Sequence, residues 1–155
     1  MVSDYEMVLR LLSAVICSGL IGLEREFARH EAGLRTHIMV CLGSTLIMLT
    51  SVSIFDIYKT QANVDPSRIA AGVITGIGFL GAGTIIRSPE GVRGLTTASS
   101  LWVVASLGLA IGLGLYKTAL VVTVLTLIVL LVLRKFEGLL KKGGKYGAER
   151  SQEGE

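Results

Sequence analysis

Residues 118–133 read TALVVTVLTLIVLLVL, and none of these 16 residues carries a charge. A helix of about 20 such residues crosses the roughly 30 Å hydrocarbon core of a bilayer, and residues at its ends can extend a shorter run. Outward from this stretch lie uncharged runs at 94–116, 69–86 and 38–55, and residues 7–23 form a fifth run. We therefore predict an all-α, polytopic membrane protein with about five transmembrane helices.

Two charged residues, Arg10 and Lys117, interrupt these apolar runs. Arg10 is the one charge in the first run, and we expect it to reach the interface or to pair with Glu6 at i,i+4. Residues 94–133 form one apolar stretch that only a single lysine interrupts, and as one helix it would rise about 60 Å. A turn must divide it, and the residues suited to that turn are Gly112, Gly114 and Lys117.

The charges predict the orientation. With the N-terminus outside, eleven Lys and Arg residues fall on the inner side and three on the outer side. The inner ones are Arg25, Arg29, Arg35, Arg87, Arg93 and six within 134–155; the outer ones are Lys59, Arg68 and Lys117. We predict a transmembrane domain at 1–135 and a short polar cytoplasmic tail at 136–155. The basic excess suits an anionic lipid surface, so we expect no nucleic-acid partner.

A glycine-rich run, GIGFLG at 76–81, matches the G-x-G-x-x-G pattern. A dinucleotide site is excluded by its position inside an uncharged membrane run, without the required strand and acidic residue. One interpretation is close helix packing through Gly72, Gly76 and Gly83, repeated by Gly108 and Gly112, within the protomer or in a homo-oligomer. The alternative is that residues 76–83 unwind and expose carbonyls to a cation. The candidate site glycines are Gly76, Gly78, Gly81 and Gly83.

Catalytic and metal-binding patterns are scarce. The sequence has no G-x-S-x-G motif and no intramembrane Asp pair, which argues against an enzyme. His30 and His37 are too few for a zinc site, and we predict no cofactor. A mildly polar stripe in the fourth run comprises Thr96, Ser99, Ser100, Val103 and Ser106. Its hydroxyls are expected to bond to backbone carbonyls or neighbouring helices more than to line a water-filled path.

Four ordered motifs carry a family resemblance. They are GLERE at 22–26, AGLRTH at 32–37, GIGFLGAGTIIR at 76–87, and VRGLTTA at 92–98 followed by LW at 101–102. With these motifs the chain resembles the MgtC/SapB family of bacterial inner-membrane proteins. The resemblance implies a role in magnesium homeostasis and, in pathogens, in growth at low Mg²⁺ and virulence. It also implies a regulator that acts on other membrane proteins, including the ATP synthase.

The chain departs from the virulence branch of that family at two points. Thr96 and Val103 stand where that branch has Asn and Cys. Many of its members also continue into a soluble domain resembling an ACT fold, whereas we expect residues 134–155 to be too short to bury a core.

Two functions follow as hypotheses: a non-enzymatic regulator that binds a membrane protein, or a carrier or channel for a cation or small solute. The main candidate surface comprises the two inner loops, with Glu24, Arg25, Glu26 and Arg35 in the first, and Arg87, Arg93 and the adjoining Thr96 in the second. We expect an ion pair between these loops, formed by Glu24 or Glu26 with Arg87 or Arg93.

Overall fold

The computed structural model describes residues 2–61, 63–89 and 91–152, with side chains described through residue 135. These ranges form five helices and one antiparallel hairpin. The helices are α1 (Asp4–Phe27), α2 (Leu34–Tyr58), α3 (Ser67–Thr84), α4 (Leu95–Gly112) and α5 (Tyr116–Gln152). The strands β1 (Ile86–Ser88) and β2 (Gly91–Arg93) connect α3 to α4. The predicted all-α polytopic fold is confirmed, and the hairpin is an addition that the sequence did not predict.

The helices are apolar on the outside as well as inside. Phe27 and Phe79 are 84% and 83% exposed, and many Leu, Ile and Val side chains also face outward. Four helices are long and apolar enough to cross a bilayer: α1, α2, α4 and α5 as far as Lys135. The helix outside this group is α3, whose 18 residues include Arg68 and five glycines. The orientation of the termini stays a prediction.

The core lies where α1, α2 and α4 meet, with α5 packed alongside. Its buried members are Ala14, Ile21, Cys41, Val104, Leu107, Ile111, Ala119 and Leu130. A methyl group on Gly108 would collide with the Cys41 carbonyl and lie 2.7 Å from Cβ of Ser44. On Gly112 it would lie 2.5 Å from Cβ of Met48. The predicted glycine packing is therefore confirmed for α4, and it occurs within the protomer.

The glycines of α3 have different surroundings. The helix is regular from Ser67 to Thr84, so the alternative in which it unwinds is wrong. Gly81 faces Ala98, whose Cβ would be 3.6 Å from a methyl group placed on the glycine. Methyl groups on the other four would meet nothing within 4 Å; these are Gly72, Gly76, Gly78 and Gly83. The packing predicted for Gly72 and Gly76 is thus not formed within the protomer.

The turn between α4 and α5 falls where it was predicted. Gly114 has φ +83°, a left-handed conformation that glycine adopts without steric cost. Beside this turn Arg10 is buried, pairs with Glu6 and donates from Nη1 to the carbonyl of Gly112 at 2.6 Å. The pairing with Glu6 confirms the prediction, and the bond to Gly112 additionally ties α1 to the start of the turn.

Candidate functional site

A buried carboxylate lies at the end of the bundle where α1 finishes and α2 and α4 begin. We call this end the charged end; it is marked by Glu24, Arg25, Glu31, Thr97 and Arg134. Oε2 of Glu24 accepts hydrogen bonds from Arg25, and its Oε1 accepts one from Nη1 of Arg134 at 3.2 Å. Arg25 is only 2% exposed, whereas the Arg134 side chain is 52% exposed. The carboxylate thus joins α1 to α5, and these three side chains keep one surplus positive charge.

Close packing brings this end of α1 against α2. A methyl group on Gly22 would lie 2.9 Å from Cα of Leu34, so the two backbones touch there. The next carboxylate, Glu26, accepts the N–H of Leu34 at 3.0 Å through Oε2. A negative charge at a helix N-terminus satisfies an otherwise unpaired donor and is favoured by the helix dipole. Glu26 therefore caps α2 from α1.

The predicted pairing of Glu24 or Glu26 with Arg87 or Arg93 is wrong. Glu24 pairs with Arg25 and Arg134, and Glu26 caps α2. Arg87 and Arg93 are exposed on the hairpin, in the register Arg87↔Val92 and Ile86↔Arg93. The apolar periodicity of the flanking helices gave no signal for these two short strands.

The first loop meets α4 through another carboxylate. The Thr97 hydroxyl donates to Oε2 of Glu31 at 2.7 Å. This bond, with smaller contributions from a backbone hydrogen bond, His30 and Arg93, holds the pKa of Glu31 below its usual range. The loop and the N-terminus of α4 therefore lie at one end of the bundle, as the five-helix topology predicted.

Next to this bond lies a fully buried histidine. Nδ1 of His37 faces the Gly33 carbonyl at 2.8 Å, and Nε2 lies 3.0 Å from the Ser100 hydroxyl. Because a carbonyl can only accept, Nδ1 carries a proton, and the single proton of the Ser100 hydroxyl is shared between Nε2 of His37 and the Thr97 carbonyl. The same hydroxyl lies 2.8 Å from the Thr97 carbonyl. His37 thus fixes the spacing of α2 and α4.

Ser100→Ala should lower the free energy of unfolding by about 1–2 kcal/mol, because it leaves a buried ring nitrogen without a partner. Ser99→Ala is the matched control: its hydroxyl is exposed and bonds to the Leu95 carbonyl of its own helix. Thermal unfolding in detergent measures both. Equal losses for the two serines would contradict the role given to His37.

The remaining predicted residues are dispersed. Arg35 is exposed in the first turn of α2, and Thr96 is exposed at the start of α4. Gly76, Gly78, Gly81 and Gly83 lie on α3, away from Glu24. Thr96 does line a cavity of about 170 Å³ with Arg25, His30 and Arg134. We did not predict from the sequence that His30 and Arg134 belong to this site or that His37 bonds to Ser100, because partners on distant helices leave no local pattern.

Within the described part of the chain, no three His, Cys, Asp or Glu side chains come close enough to hold a metal ion.

The hydroxyls of Ser99 and Ser106 bond to the carbonyls of Leu95 and Trp102 in their own helix, as predicted for the polar stripe. The charged end can therefore hold helices together, and its Glu24–Arg25–Arg134 group, with two basic side chains to one carboxylate, suits an anion better than Mg²⁺.

Fold and charged end together define a class: an all-α polytopic membrane protein with an ion-pair cluster buried at one end of its helix bundle. The model of the MgtC family matches residues 11–139. The chain belongs to the MgtC family, which confirms the resemblance.

Named relatives agree with this assignment. The chain is 45% identical over 127 residues to "Putative magnesium transporter YhiD" of Escherichia coli K12, covering 81% of the chain and 59% of that protein. It is 41% identical over 131 residues to "Protein MgtC" of Salmonella typhimurium, covering 84% and 54%. The chain thus spans little more than half the length of these relatives. No solved structure matches it.

Proposed function

We propose that the protein is a non-enzymatic regulator of the bacterial inner membrane that serves magnesium homeostasis and growth at low Mg²⁺ by binding another membrane protein. Family membership supports the link to magnesium. The observation that carries the binding role is an uncovered groove between α2 and α3. The ATP synthase, which the family resemblance names, is the first partner to test.

The groove is apolar and has a volume of about 610 Å³. Its lining residues are Met39, Val40, Gly43, Ser44 and Ile47 from α2, and Ile69, Gly72, Val73, Gly76, Ile77 and Leu80 from α3. From Ile69 to Leu80 the α3 wall rises about 16 Å, roughly half the hydrocarbon core. A groove of this length accommodates about three turns of a membrane helix.

Glycine makes this groove suited to a helix. Methyl groups on Gly43, Gly72 and Gly76 would meet nothing within 4 Å. In a bilayer, small residues favour association because they let two backbones approach closely. The glycines of α4 already serve this purpose inside the protomer, whereas none of the described residues packs against those of the groove. A transmembrane helix of the partner protein is the occupant that uses such a surface.

Photo-cross-linking tests the proposal. A cross-linker at Met39, which lines the groove and is 68% exposed, should yield an adduct with one identified membrane protein, whereas a cross-linker at Ile16, which is 62% exposed on α1, should not. Gly76→Leu fills the groove and should abolish both the adduct and growth at low Mg²⁺. Gly83→Leu is the matched control, because Gly83 is equally open but lies outside the groove.

Three results would contradict the proposal: adducts with lipid alone, an adduct of two copies of this chain, or equal loss of growth with Gly83→Leu. The second would make the groove a homo-oligomer interface.

The Escherichia coli relative, named "Putative magnesium transporter YhiD", favours a second candidate, a magnesium carrier. Purified protein in proteoliposomes loaded with a fluorescent Mg²⁺ indicator tests it. Flux above that of empty vesicles, retained in Gly76→Leu, would support the carrier and contradict the regulator. Absence of flux, with the protein shown to be inserted, would eliminate the carrier.

A further inference from the structure

The cavity at the charged end combines basic side chains with apolar walls. Arg25, His30, Thr96 and Arg134 supply its polar groups, and Val129, Leu130 and Leu133 of α5 supply the rest. At about 170 Å³ it is smaller than the roughly 300–1,000 Å³ that encloses a whole small-molecule ligand. It accommodates one chemical group.

From this composition we infer that the cavity binds the phosphate group of an anionic ligand, with an anionic phospholipid headgroup and free inorganic phosphate as the two sources.

Charge supports an anion. Glu24 contributes one negative charge against the two guanidinium groups of Arg25 and Arg134, so these three side chains retain one positive charge; the Glu31 carboxylate acts on His30 but does not line the cavity. Burial, followed by Arg25, lowers the pKa of His30, so its ring is neutral at pH 7 and offers a hydrogen bond in place of a third charge. A phosphodiester carries one negative charge, which would neutralise the cluster.

Geometry supports the same ligand. Arg25 uses Nε and Nη2 on Glu24, so Nη1 is the remaining donor nitrogen of a side chain that is almost completely buried and lines the cavity. Arg134 donates from Nη1 to Glu24, so the remaining N–H groups of its half-exposed guanidinium are available to a ligand. Guanidinium groups bind phosphate oxygens through paired, charge-assisted hydrogen bonds. Both can therefore turn unused donors toward one ligand.

The position of the cavity along α5 distinguishes the two sources of the phosphate group. The apolar wall belongs to the last turns of the uncharged run of α5, next to the charged residues Arg134 and Lys135. Headgroup phosphates of a bilayer lie at this depth, and the adjoining acyl chains would pack on Leu130 and Leu133. Free phosphate would use only the polar groups.

The test measures binding of phosphatidylglycerol to delipidated protein in detergent, by native mass spectrometry, with phosphatidylcholine as the zwitterionic comparison. Arg134→Gln should weaken phosphatidylglycerol binding about tenfold, the effect of losing one charge-assisted hydrogen bond. Lys135→Gln, which removes the same charge from the neighbouring exposed position, should change it less than twofold. Helical content by circular dichroism confirms that both variants are folded.

A second arm adds inorganic phosphate. A lipid site is supported if phosphate does not displace phosphatidylglycerol. A site for free phosphate is supported if phosphate binds alone and Arg134→Gln weakens it. The inference is overturned if Arg134→Gln and Lys135→Gln have equal effects, or if neither ligand binds.

Discussion

Glu24→Gln lowers the free energy of unfolding by about 3–5 kcal/mol, the cost of removing one partner from a buried ion pair. Glu24 and Arg25 are both almost fully buried at the end of α1. Without the carboxylate charge, the Arg25 guanidinium remains in a poorly hydrated site with no counter-charge, and a glutamine offers one acceptor where two basic side chains now donate. Thermal or denaturant unfolding in detergent measures the loss.

The matched control is Glu26→Gln, two positions away on the same helix. Glu26 is exposed and accepts one backbone N–H, which a glutamine oxygen can still accept. Its loss should stay below about 1 kcal/mol, the value of an exposed charge at a helix N-terminus. If Glu24→Gln costs no more than Glu26→Gln, the cluster is solvated and its charges only set topology. Combining Glu24→Gln with Arg134→Gln then measures the coupling of α1 to α5.

Gly108→Val should cost about 3 kcal/mol, the upper end of the range for overpacking a core. Its Cβ alone would collide with the Cys41 carbonyl and approach Cβ of Ser44. Because the first collision is with backbone, no rotamer change can relieve it, and α2 and α4 must move apart. That movement would also stretch the contact between His37 and Ser100.

Gly72→Val separates this effect from the general cost of replacing a membrane glycine. A methyl group on Gly72 would meet nothing within 4 Å, so no loss of stability is expected from packing. Glycine has a lower helix propensity than every residue except proline, so Gly72→Val should slightly raise the free energy of unfolding. Equal destabilisation by the two substitutions would contradict the assignment of Gly108 to a closed interface and Gly72 to an open one.

The sequence predicted the helices well because bilayer thickness fixes their length. Uncharged runs, the turn at Gly114 and the pair of Arg10 with Glu6 are all local features, and each follows from spacing along the chain. The same local logic could not tell Gly72 from Gly108: both belong to a small-xxx-small pair. Only the arrangement of the helices places one against α2 and the other in an open groove.

The candidate site was harder to predict because charge partners are chosen in three dimensions. The first-loop charges were identified, but Glu24 lies against Arg134, 110 residues along the chain, rather than against the hairpin arginines. His37 was set aside as a metal ligand because it had too few companions in the sequence, and its hydrogen bond to Ser100, which spans 63 residues, has no sequence signature. A helix count and a motif search do not specify which helix faces are neighbours.

The bond from Arg10 to Gly112 also constrains how the protein is made. The two residues are 102 positions apart, and translation delivers α1 first. Until α4 has entered the membrane, the guanidinium has only Glu6, one turn away on the same nascent helix, as its neutralising partner. We therefore expect biogenesis in two stages. First α1 inserts with Arg10 neutralised by Glu6, and after α4 has inserted Arg10 also bonds to the Gly112 carbonyl.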